Sequence, residues 1–368
     1  MKICMLTSSH YFYDNRIYYK EILSLKNIYD EIYIIGPGEK DFVTEDGIIV
    51  KTFKKRRAWY DRIRPMNDMF NIAIKINADI YHAHEPDSFQ VALRLKNTLK
   101  SKAIYDSHEY HPEAFSEHFK IGKAVIQKVI YEYEKRMAKN ADYIITVNKI
   151  LVNKFKKYNK NVALVPNYPV IYNRSLHKEY NEKPVFIYVG GIREDRGILK
   201  ILEAIKLVRS DCQYLFVGSF ENDEFKKKVD DFIKNNLINK DIVFTGQIPH
   251  LEVFNYLNKS CVGFVLLQPE NWRYVNSEPI KLFEYMMTKT AVIASKFPMM
   301  QEIVENCKCG LAVEPDNIEE IASAIEMMSI GIENTKRFGE NGYAAVKEMY
   351  NWESCEKIIL DVYDSLLQ

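Results

Sequence analysis

The sequence predicts an α/β protein with two parallel β-sheets, each covered by helices on both faces. Near-continuous apolar runs alternate along the chain with segments whose apolar residues recur at helical spacing. Such runs are typical of parallel strands that are buried on both faces. The alternation occurs in both halves, and 368 residues suffice for two domains with substantial cores. We therefore expect two doubly wound, Rossmann-like domains.

Apolar runs predict the strands of both halves. In the first half they are Ile3–Ser8, Ile32–Gly36, Ile48–Phe53, Ile80–His84, Ala103–Ser107, Tyr143–Val147 and Val162–Pro166. In the second half they are Phe186–Gly190, Tyr214–Gly218, Ile242–Gly246, Val262–Leu267, Ala291–Ser295 and Gly310–Val313. Helical patterns between them include Tyr18–Lys26, Phe70–Asn77 and Lys123–Ala138. Ligands of doubly wound sheets gather at the carboxyl ends of strands, where His84, His108 and Gly190 are expected.

Composition excludes several classes of protein. The net charge of +1 gives no reason to expect a nucleic-acid partner. The six cysteines are scattered, and Cys307 and Cys309 lack the second pair that a zinc site needs. The first residues form a predicted strand rather than a signal peptide, and no apolar run reaches the length of about 18 residues that spans a bilayer. We therefore expect a cytoplasmic protein, with the polar stretch Val170–Lys183 as an interdomain linker.

A charged motif in the second half reads Asn276-Ser-Glu-Pro-Ile-Lys-Leu-Phe-Glu284. Pro279 favours a helix start, so we expect a helix from Ile280 to Met287. The unpaired N–H groups of a helix start suit a phosphate, and Lys281 would add a full positive charge. Glu284, one turn later, could accept hydrogen bonds from two vicinal hydroxyls. A diphosphate next to a ribose would fit this motif, although the motif taken alone is better explained by a surface helix with a Lys281–Glu284 pair.

A glycine turn follows the first strand of the second half, in the segment Val185-Phe-Ile-Tyr-Val-Gly-Gly-Ile-Arg-Glu-Asp-Arg-Gly197. Gly190 and Gly191 end the strand, Arg193 and Arg196 follow, and a helical pattern comes next. A strand, glycine turn, basic loop and helix can form a phosphate cradle, since arginine forks onto phosphate oxygens. The pattern is neither G-x-G-x-x-G nor a Walker loop, and a plain tight turn would also explain the glycines.

Together the two motifs resemble those of the retaining nucleotide-sugar glycosyltransferases of family four, which have the GT-B fold. Further matches occur in the family's order along nearly the whole chain: Thr7–Glu21, Asp79–Glu85, Ala103–Glu109, Val165–Tyr168 and Tyr350–Trp352. Single motifs are loose, but their number and order are specific. The resemblance implies two Rossmann-like domains that face a cleft, a nucleoside-diphosphate sugar as donor, and no metal or other cofactor.

Carried over residue by residue, the resemblance places the donor site in the second domain. It implies that Glu284 binds the ribose. Arg196, Lys281 and the amide of Ile280 would offset the charge on the leaving diphosphate, beside the turn at Gly190. Preorganised positive groups of this kind are usually a large catalytic term.

The chain departs from the family's pattern at two positions. Gly191 stands where the family has an arginine, and Asn276 stands where it has the first glutamate of its E-x7-E motif. Two alternatives follow for the contact with the sugar. Either Asn276 makes it as a neutral amide, or Glu278 supplies the carboxylate.

The first half carries the residues expected near the acceptor. By the resemblance, His108 would bind hydroxyls of the transferred sugar rather than act as a general base. His10, Asp14 and Arg16 could form a loop on the acceptor side. An equally good interpretation is a capping cluster, because Asp14 can cap the helix that follows it.

A basic run extends from Lys51 to Arg64, with Phe53, Trp59 and Tyr60 among its cations. A nucleic acid, an anionic membrane surface or a solvated loop could each explain it. By the resemblance the run falls in the acceptor-binding half. Contact with an anionic bilayer that carries a lipid-linked acceptor is then attractive, with a solvated loop as the alternative.

These observations define the expected domains and reaction. We expect an acceptor-binding domain at 1–170, completed by the closing helix 350–368, and a donor domain at 171–349. The resemblance implies retaining, metal-independent transfer of a sugar to a hydroxyl of a glycan or lipid-linked acceptor. The expected process is cell-surface polysaccharide synthesis, and the expected location includes peripheral contact with the cell membrane. Two alternatives stay open: a nucleotide-sugar epimerase of the same fold, and an inactive partner subunit, which Asn276 and Gly191 would favour.

Overall fold

The computed structural model describes residues 1–58, 60–119, 121–171 and 178–367. The chain forms two compact units. One comprises Met1–Asn167 with Trp352–Gln368, and the other comprises Tyr168–Asn351. Tyr168 already packs within the second unit, with its ring centroid 4.8 Å from that of Phe283 and 5.3 Å from that of Tyr350.

The stretch expected as a linker is bonded to the second unit wherever it is described. Residues 172–177 lie outside the described part of the chain. The Nζ of Lys178 donates to the carbonyl of Leu257 at 2.8 Å and to the hydroxyl of Thr290 at 2.6 Å. Burial lowers the pKa of Lys178 to about 7. Lys178 is therefore anchored in the second unit, whereas Asn181 and Glu182 are exposed.

The first unit contains an eight-stranded sheet. Its strands are β1 (Lys2–Leu6), β2 (Glu31–Pro37), β3 (Phe42–Val43), β4 (Ile49–Phe53), β5 (Ile80–Ala83), β6 (Lys102–Ser107), β7 (Tyr143–Thr146) and β8 (Val162–Leu164). Their order is β3-β4-β2-β1-β5-β6-β7-β8, parallel except for β3 against β4. The order reverses between β1 and β5, whose last residues Leu6 and Ala83 pair, so loops from both strands meet there.

Helices connect these strands. They are a π-helical turn (Ile17–Ile22), α1 (Leu23–Lys26), α2 (Ile63–Ile76), α3 (Pro86–Leu99), α4 (His111–Ser116), α5 (Lys123–Ala138), α6 (Lys149–Phe155) and a closing helix (Trp352–Leu367). Helix α5 has the predicted bounds. Helix α2 begins at Ile63 rather than at Phe70, because Pro65 lies in its first turn, where proline is tolerated.

The second unit contains a six-stranded parallel sheet. Its strands are β9 (Val185–Val189), β10 (Gln213–Val217), β11 (Asp241–Gly246), β12 (Val262–Val265), β13 (Ala291–Ser295) and β14 (Gly310–Val313). The order is β11-β10-β9-β12-β13-β14, so the reversal lies between β9 and β12. Both units are therefore doubly wound α/β sheets, as predicted.

The helices of the second unit follow the same alternation. They are a 3₁₀ turn (Glu194–Arg196), α7 (Ile198–Leu207), α8 (Asp223–Asn236), α9 (His250–Lys259), α10 (Trp272–Val275), α11 (Ile280–Met287), α12 (Pro298–Cys307), α13 (Ile318–Ile330) and α14 (Ile332–Glu348). Helix α7 buries Ile198, Ile201 and Ile205, which its spacing predicted. Among the described helices, none has both the length and the apolarity needed to span a membrane.

Candidate donor and acceptor sites

A glycine turn lies at the carboxyl end of β9, where the order of the second sheet reverses. Gly190 has a backbone φ of 132°, a value that residues other than glycine rarely adopt. The carbonyl of Gly191 accepts the hydroxyl of Tyr188 at 2.7 Å. A Cβ atom at Gly190 would lie 3.2 Å from the Nζ of Lys281, so glycine leaves room for that ammonium group. The structure thus brings together the glycine turn and α11, which lie far apart in the sequence.

Lys281 occupies a desolvated position beside a second cation. Its Nζ lies 4.1 Å from the centroid of the Tyr188 ring. Burial and the nearby guanidinium of Arg196 lower the pKa of Lys281 to about 7, against the opposing effect of Glu284. Across the described residues, neither Lys281 nor Arg196 forms a salt bridge. Two cations that converge without ion-pair partners create a local field that favours an anionic ligand.

The two arginines of the glycine-turn segment have different environments. The guanidinium of Arg196 lies over the ring of Tyr274, 4.4 Å from its centroid. The Tyr274 hydroxyl donates to Oδ2 of Asp195 at 2.9 Å. Arg193 pairs with Asp195 at 3.1 Å and with Glu221 at 3.4 Å. Arg193 is therefore neutralised by the protein, whereas Arg196 is held by an aromatic ring that does not cancel its charge.

Helix α11 runs from Ile280 to Met287, the bounds that the sequence predicted. Pro279 is its N-cap, so Ile280 is the first helical residue and its N–H has no partner within the helix. Glu284 follows one turn later, close enough for its charge to raise the pKa of Lys281. The helix start, Lys281 and Glu284 thus lie together within the first two turns of α11.

Asn276 and Glu278 lie ahead of this helix. Asn276 is the C-cap of α10, and its amide nitrogen donates to the carbonyl of Trp272, the first residue of that helix, at 2.8 Å. A glutamate could not donate this bond, so asparagine has a local structural use here. Glu278 lies within electrostatic range of Tyr350.

In the first unit, His10 and His108 form a close imidazole pair. Their Nε2 atoms are 3.2 Å apart, and Nδ1 of His10 lies 3.2 Å from Oδ2 of Asp14. Burial disfavours a charge on His10, but the hydrogen bond to Asp14 and the field of Glu85 outweigh it and raise the pKa of His10 to about 9. A protonated His10 donates from Nδ1 to Asp14 and from Nε2 to Nε2 of His108, so the lone pair of that His108 nitrogen is engaged by His10.

Asp14 and Glu85 organise the loop that carries His10. Oδ1 of Asp14 accepts the N–H of Arg16 at 2.8 Å and that of Ile17 at 3.1 Å, so Asp14 caps the π-helical turn. The same carboxylate therefore serves as the cap and as the partner of His10. Glu85 accepts the hydroxyl of Thr7 at 2.7 Å and that of Ser9 at 2.9 Å. The sequence did not single out Glu85, although it closes one of the quoted motifs.

Arg16 lies in the interior of the first unit, and its guanidinium is bound to the protein. It pairs with Asp106 at 2.8 Å and with Glu21 at 2.9 Å, and it donates to the carbonyl of Val165 at 3.0 Å. Its side chain is only 4% exposed. The expected direct position in an acceptor-side loop is thus corrected to a buried one, from which Arg16 supports β6 and the loop that His10 belongs to.

Glu21, His82, His84 and Asp106 surround this guanidinium, and their ligand atoms lie within 4.8 Å of one another. Such a group could hold a metal ion. Burial beside Asp106 raises the pKa of Glu21 well above its usual range, while Arg16 holds that of Asp106 well below. One proton on Glu21 and the charge of Arg16 therefore balance the charge of the two carboxylates. Both ring nitrogens of His84, both carboxylate oxygens of Glu21 and one of Asp106 nevertheless have no hydrogen-bond partner among the described residues.

The basic run is partly neutralised by acids from other segments. Lys51 pairs with Asp41 at 3.0 Å, and Arg62 pairs with Asp87 at 2.7 Å. Arg64 pairs with Asp61 at 2.7 Å. Trp59, one of the aromatic residues of the run, lies outside the described residues. The cations that the described structure leaves exposed and without salt bridges are Lys54, Lys55, Arg56 and Arg57.

A depression of about 580 Å³ joins this basic loop to the loop of His10. It is lined by Ser9, Tyr11, Pro37, Gly38, Glu39, Lys54 and Lys55. Both loops belong to the first unit. The exposed cations therefore border a concave surface next to the His10–His108 pair.

Comparison with known families matches both units. The family model described as "Glycosyl transferases group 1" matches residues 173–345, and "Glycosyltransferase Family 4" matches residues 27–168. The chain belongs to these glycosyltransferases. An uncharacterized glycosyltransferase of Methanocaldococcus jannaschii is 22% identical over 287 residues, which are 71% of this chain and 68% of that protein.

Solved structures give this glycosyltransferase the GT-B fold. Sucrose-phosphate synthase from Thermosynechococcus elongatus superposes with a TM-score of 0.77 at 17% identity, over 100% of this chain and 99% of that chain. Anabaena HepE, solved in complex with UDP and glucose, gives a TM-score of 0.76 at 14% identity, over 99% of this chain and 100% of that chain. At such identities the likeness establishes the fold.

Proposed function

We propose that this glycosyltransferase takes a sugar from a nucleoside-diphosphate sugar bound in its second unit. The observation that supports this most is the convergence of Arg196 and Lys281, without salt bridges, beside the Gly190 turn and the start of α11. A bound diphosphate would supply the negative charge that pairs with these two cations. The structural neighbour HepE was solved with UDP and glucose, which is consistent with such a donor.

The cations would act on the leaving group. As the bond between sugar and diphosphate breaks, negative charge grows on the diphosphate oxygens. Arg196, Lys281 and the N–H of Ile280 would stabilise that charge from fixed positions, which is where electrostatic catalysis is most effective. Because two full charges already serve this role, we propose transfer that needs no divalent cation.

The sugar and ribose contacts follow from the same helix. Glu284 would accept hydrogen bonds from the ribose hydroxyls. The amide nitrogen of Asn276 is engaged with α10, so we assign the carboxylate contact with the sugar to Glu278. Retention of anomeric configuration is proposed from the family resemblance, and NMR of the first-formed product measures it directly.

The first unit would bind the acceptor. A hydroxyl group could donate to Nε2 of His108 in place of His10, whose positive charge would remain beside it. The depression between Ser9 and Lys55 carries lysines that suit an anionic acceptor, such as a glycan linked to lipid through phosphate. We propose that such an acceptor, in cell-surface polysaccharide synthesis, brings the enzyme to an anionic membrane surface through Lys54–Arg57.

Binding and turnover test this function together. Purified protein is screened by thermal shift against UDP-, GDP-, ADP- and dTDP-sugars, since a ligand of the native state raises the melting temperature. The best donor should then show sugar transfer or slow hydrolysis that EDTA does not reduce. Arg196→Met and Lys281→Met should abolish the shift, whereas Lys206→Met, a surface control, should not.

The outcomes separate the alternatives. Interconversion of the donor sugar without an acceptor would indicate an epimerase instead. Binding without turnover across lipid-linked and free glycan acceptors would favour the inactive partner subunit. Absence of any nucleotide-sugar binding by the folded protein would refute the proposal.

A further inference from the structure

Helix α5 presents apolar side chains to solvent. Val125 and Val129 are 68% and 61% exposed, and Ile121, just ahead of the helix, is 90% exposed. Val125 and Val129 are four residues apart and therefore lie on the same side of the helix. We call Ile121, Val125 and Val129 the α5 face. Exposure of this kind is unusual for large apolar side chains and indicates a surface that binds something.

The opposite side of α5 fixes this orientation. Glu134 accepts the hydroxyl of Tyr105 at 2.9 Å and also pairs with Lys154. Met137 and Ala138 are buried in the core of the first unit. The helix therefore cannot rotate the α5 face inward without breaking a buried hydrogen bond and exposing core residues.

Cations surround the α5 face. Lys128 and Arg136, on the same side of the helix, are exposed, and Glu132 is paired with Lys135 at 3.0 Å. An apolar strip on a helix that is flanked by lysine and arginine is typical of helices that lie in the interface of an anionic bilayer. The charge around the strip therefore favours an anionic lipid surface as its occupant.

The α5 face adjoins the basic loop within the same unit. Tyr133, on α5, lies within electrostatic range of Arg62. The guanidinium of Arg62 in turn lies 5.0 Å from the ring centroid of Phe115 on α4. Arg64, two residues on, donates to the carbonyl of Lys55 at 3.0 Å, and the exposed Ile63 lies between them. The end of the basic run, at Arg62, is therefore a neighbour of both α4 and α5.

A second exposed apolar pair shows why charge is decisive. Met327 and Ile330 on α13 are also exposed, but that helix carries Glu319, Glu320 and Glu326 and no basic residue. An anionic surface would repel this helix. The chain thus supplies a matched comparison in which exposure is similar and the surrounding charge is opposite.

We propose that the α5 face inserts into the headgroup region of an anionic membrane, while Lys54–Arg57 bind the lipid phosphates. This deepens the proposed membrane attachment and does not depend on sugar transfer. The apolar contribution should survive salt, because screening weakens the cations but not the burial of valine and isoleucine. The attachment would thus have two separable components.

The test is co-sedimentation of the full chain with vesicles of phosphatidylglycerol and phosphatidylcholine, and with phosphatidylcholine alone, at low and moderate salt. The wild type should bind the anionic vesicles and keep part of that binding at moderate salt. Ile121→Ser with Val125→Ser and Val129→Ser should lower affinity at moderate salt about tenfold. Lys54→Ser, Lys55→Ser, Arg56→Ser and Arg57→Ser together should remove the anionic-lipid preference.

Controls and contrary outcomes are distinct. Met327→Ser with Ile330→Ser should bind vesicles like the wild type. All variants should keep nucleotide-sugar binding, so a loss there would reflect misfolding or failure of the donor proposal instead. The membrane inference is overturned if anionic vesicles do not bind the wild type at low salt. It is also overturned if the serine variant at α5 binds unchanged, or converts a dimer into a monomer in sedimentation while leaving vesicle binding intact.

Discussion

The ammonium group of Lys281 lies 4.1 Å from the centre of the Tyr188 ring, at the end of the strand that carries Gly190. The ring attracts the cation without neutralising it, and burial makes the charge costly. The pKa of Lys281 is accordingly lowered to about 7. A ligand that brings negative charge would restore the proton, so the free site is prepared for an anion.

Donor binding should therefore take up a proton above neutral pH. At about pH 8 the free Lys281 is largely unprotonated, and a bound diphosphate would raise its pKa and recharge it. Affinity should fall as the pH rises above about 7, whereas below that value the lysine is already charged and no uptake is expected. Calorimetry in buffers of different ionisation enthalpy measures the proton. Lys281→Met should abolish the uptake, and equal heats in all buffers for the wild type would contradict the assignment.

Arg196→Met should reduce turnover far more than Arg193→Met. Removing one preorganised donor to developing charge costs about 2.7–4 kcal/mol, or roughly a hundredfold or more in rate. Arg193 already pairs with Asp195 and Glu221, so its loss should lower the rate less than about tenfold. Steady-state kinetics with the identified donor gives both numbers. Equal losses in the two variants would contradict the assignment of Arg196 rather than Arg193 to the diphosphate.

Glu284→Ala should weaken nucleotide binding by about 1–3 kcal/mol, the range for losing a hydrogen bond to a charged group. The same change should matter much less for a nucleotide that lacks the ribose 2′-hydroxyl, because one partner is then already missing. Calorimetry of both nucleotides with both proteins forms a double-mutant cycle. A coupling energy near zero, with the variant folded, would show that Glu284 does not bind the ribose.

His10 should make folding stability depend on pH. Its pKa is raised from 6.5 to about 9 in the folded protein, so its stabilisation is complete below about pH 6.5 and is lost as the pH rises through 9. A shift of this size corresponds to a loss of about 3 kcal/mol. Urea denaturation across this range measures it. His10→Asn should flatten the dependence, and the exposed His118→Asn is the control that should leave it unchanged.

Arg16→Met should destabilise the fold by about 3–5 kcal/mol, because it leaves the buried carboxylate of Asp106 without its counter-ion. The double variant Arg16→Met with Asp106→Asn should recover part of the loss, since the orphaned charge is then removed as well. Denaturation midpoints of the two variants check this. A double variant less stable than the single one would mean that the pair's hydrogen bonds outweigh its charge balance.

The sequence predicted those features that depend on local pattern. Helices α5 and α11 have their expected bounds because apolar spacing and the adjacent Gly122 and Pro279 define them within a few residues. The start of α2 was missed because the cations before Pro65 were interpreted as a loop. The two-residue strand β3 is too short to leave a pattern.

Features that depend on distant partners could not be predicted. The family resemblance selects Arg196 over Arg193, but the physical difference between them depends on Glu221 and Tyr274, which belong to other elements. The burial of Arg16 depends on Asp106, 90 residues away. The neutralised half of the basic run likewise depends on Asp41 and Asp87, which belong to other segments.

Because the closing helix belongs to the first unit, the first unit can be completed only after the second unit has been synthesised. Its Tyr363 bonds His82 at 2.9 Å, and Trp352 donates to Ser24 at 2.9 Å, so the first unit depends on residues made after the whole second unit. During translation, Tyr168–Asn351 can therefore complete its sheet while the first sheet still lacks a packing partner. Early in synthesis the hydrophobic face that will receive Ile359 and Tyr363 is uncovered, and chaperone binding should be strongest then.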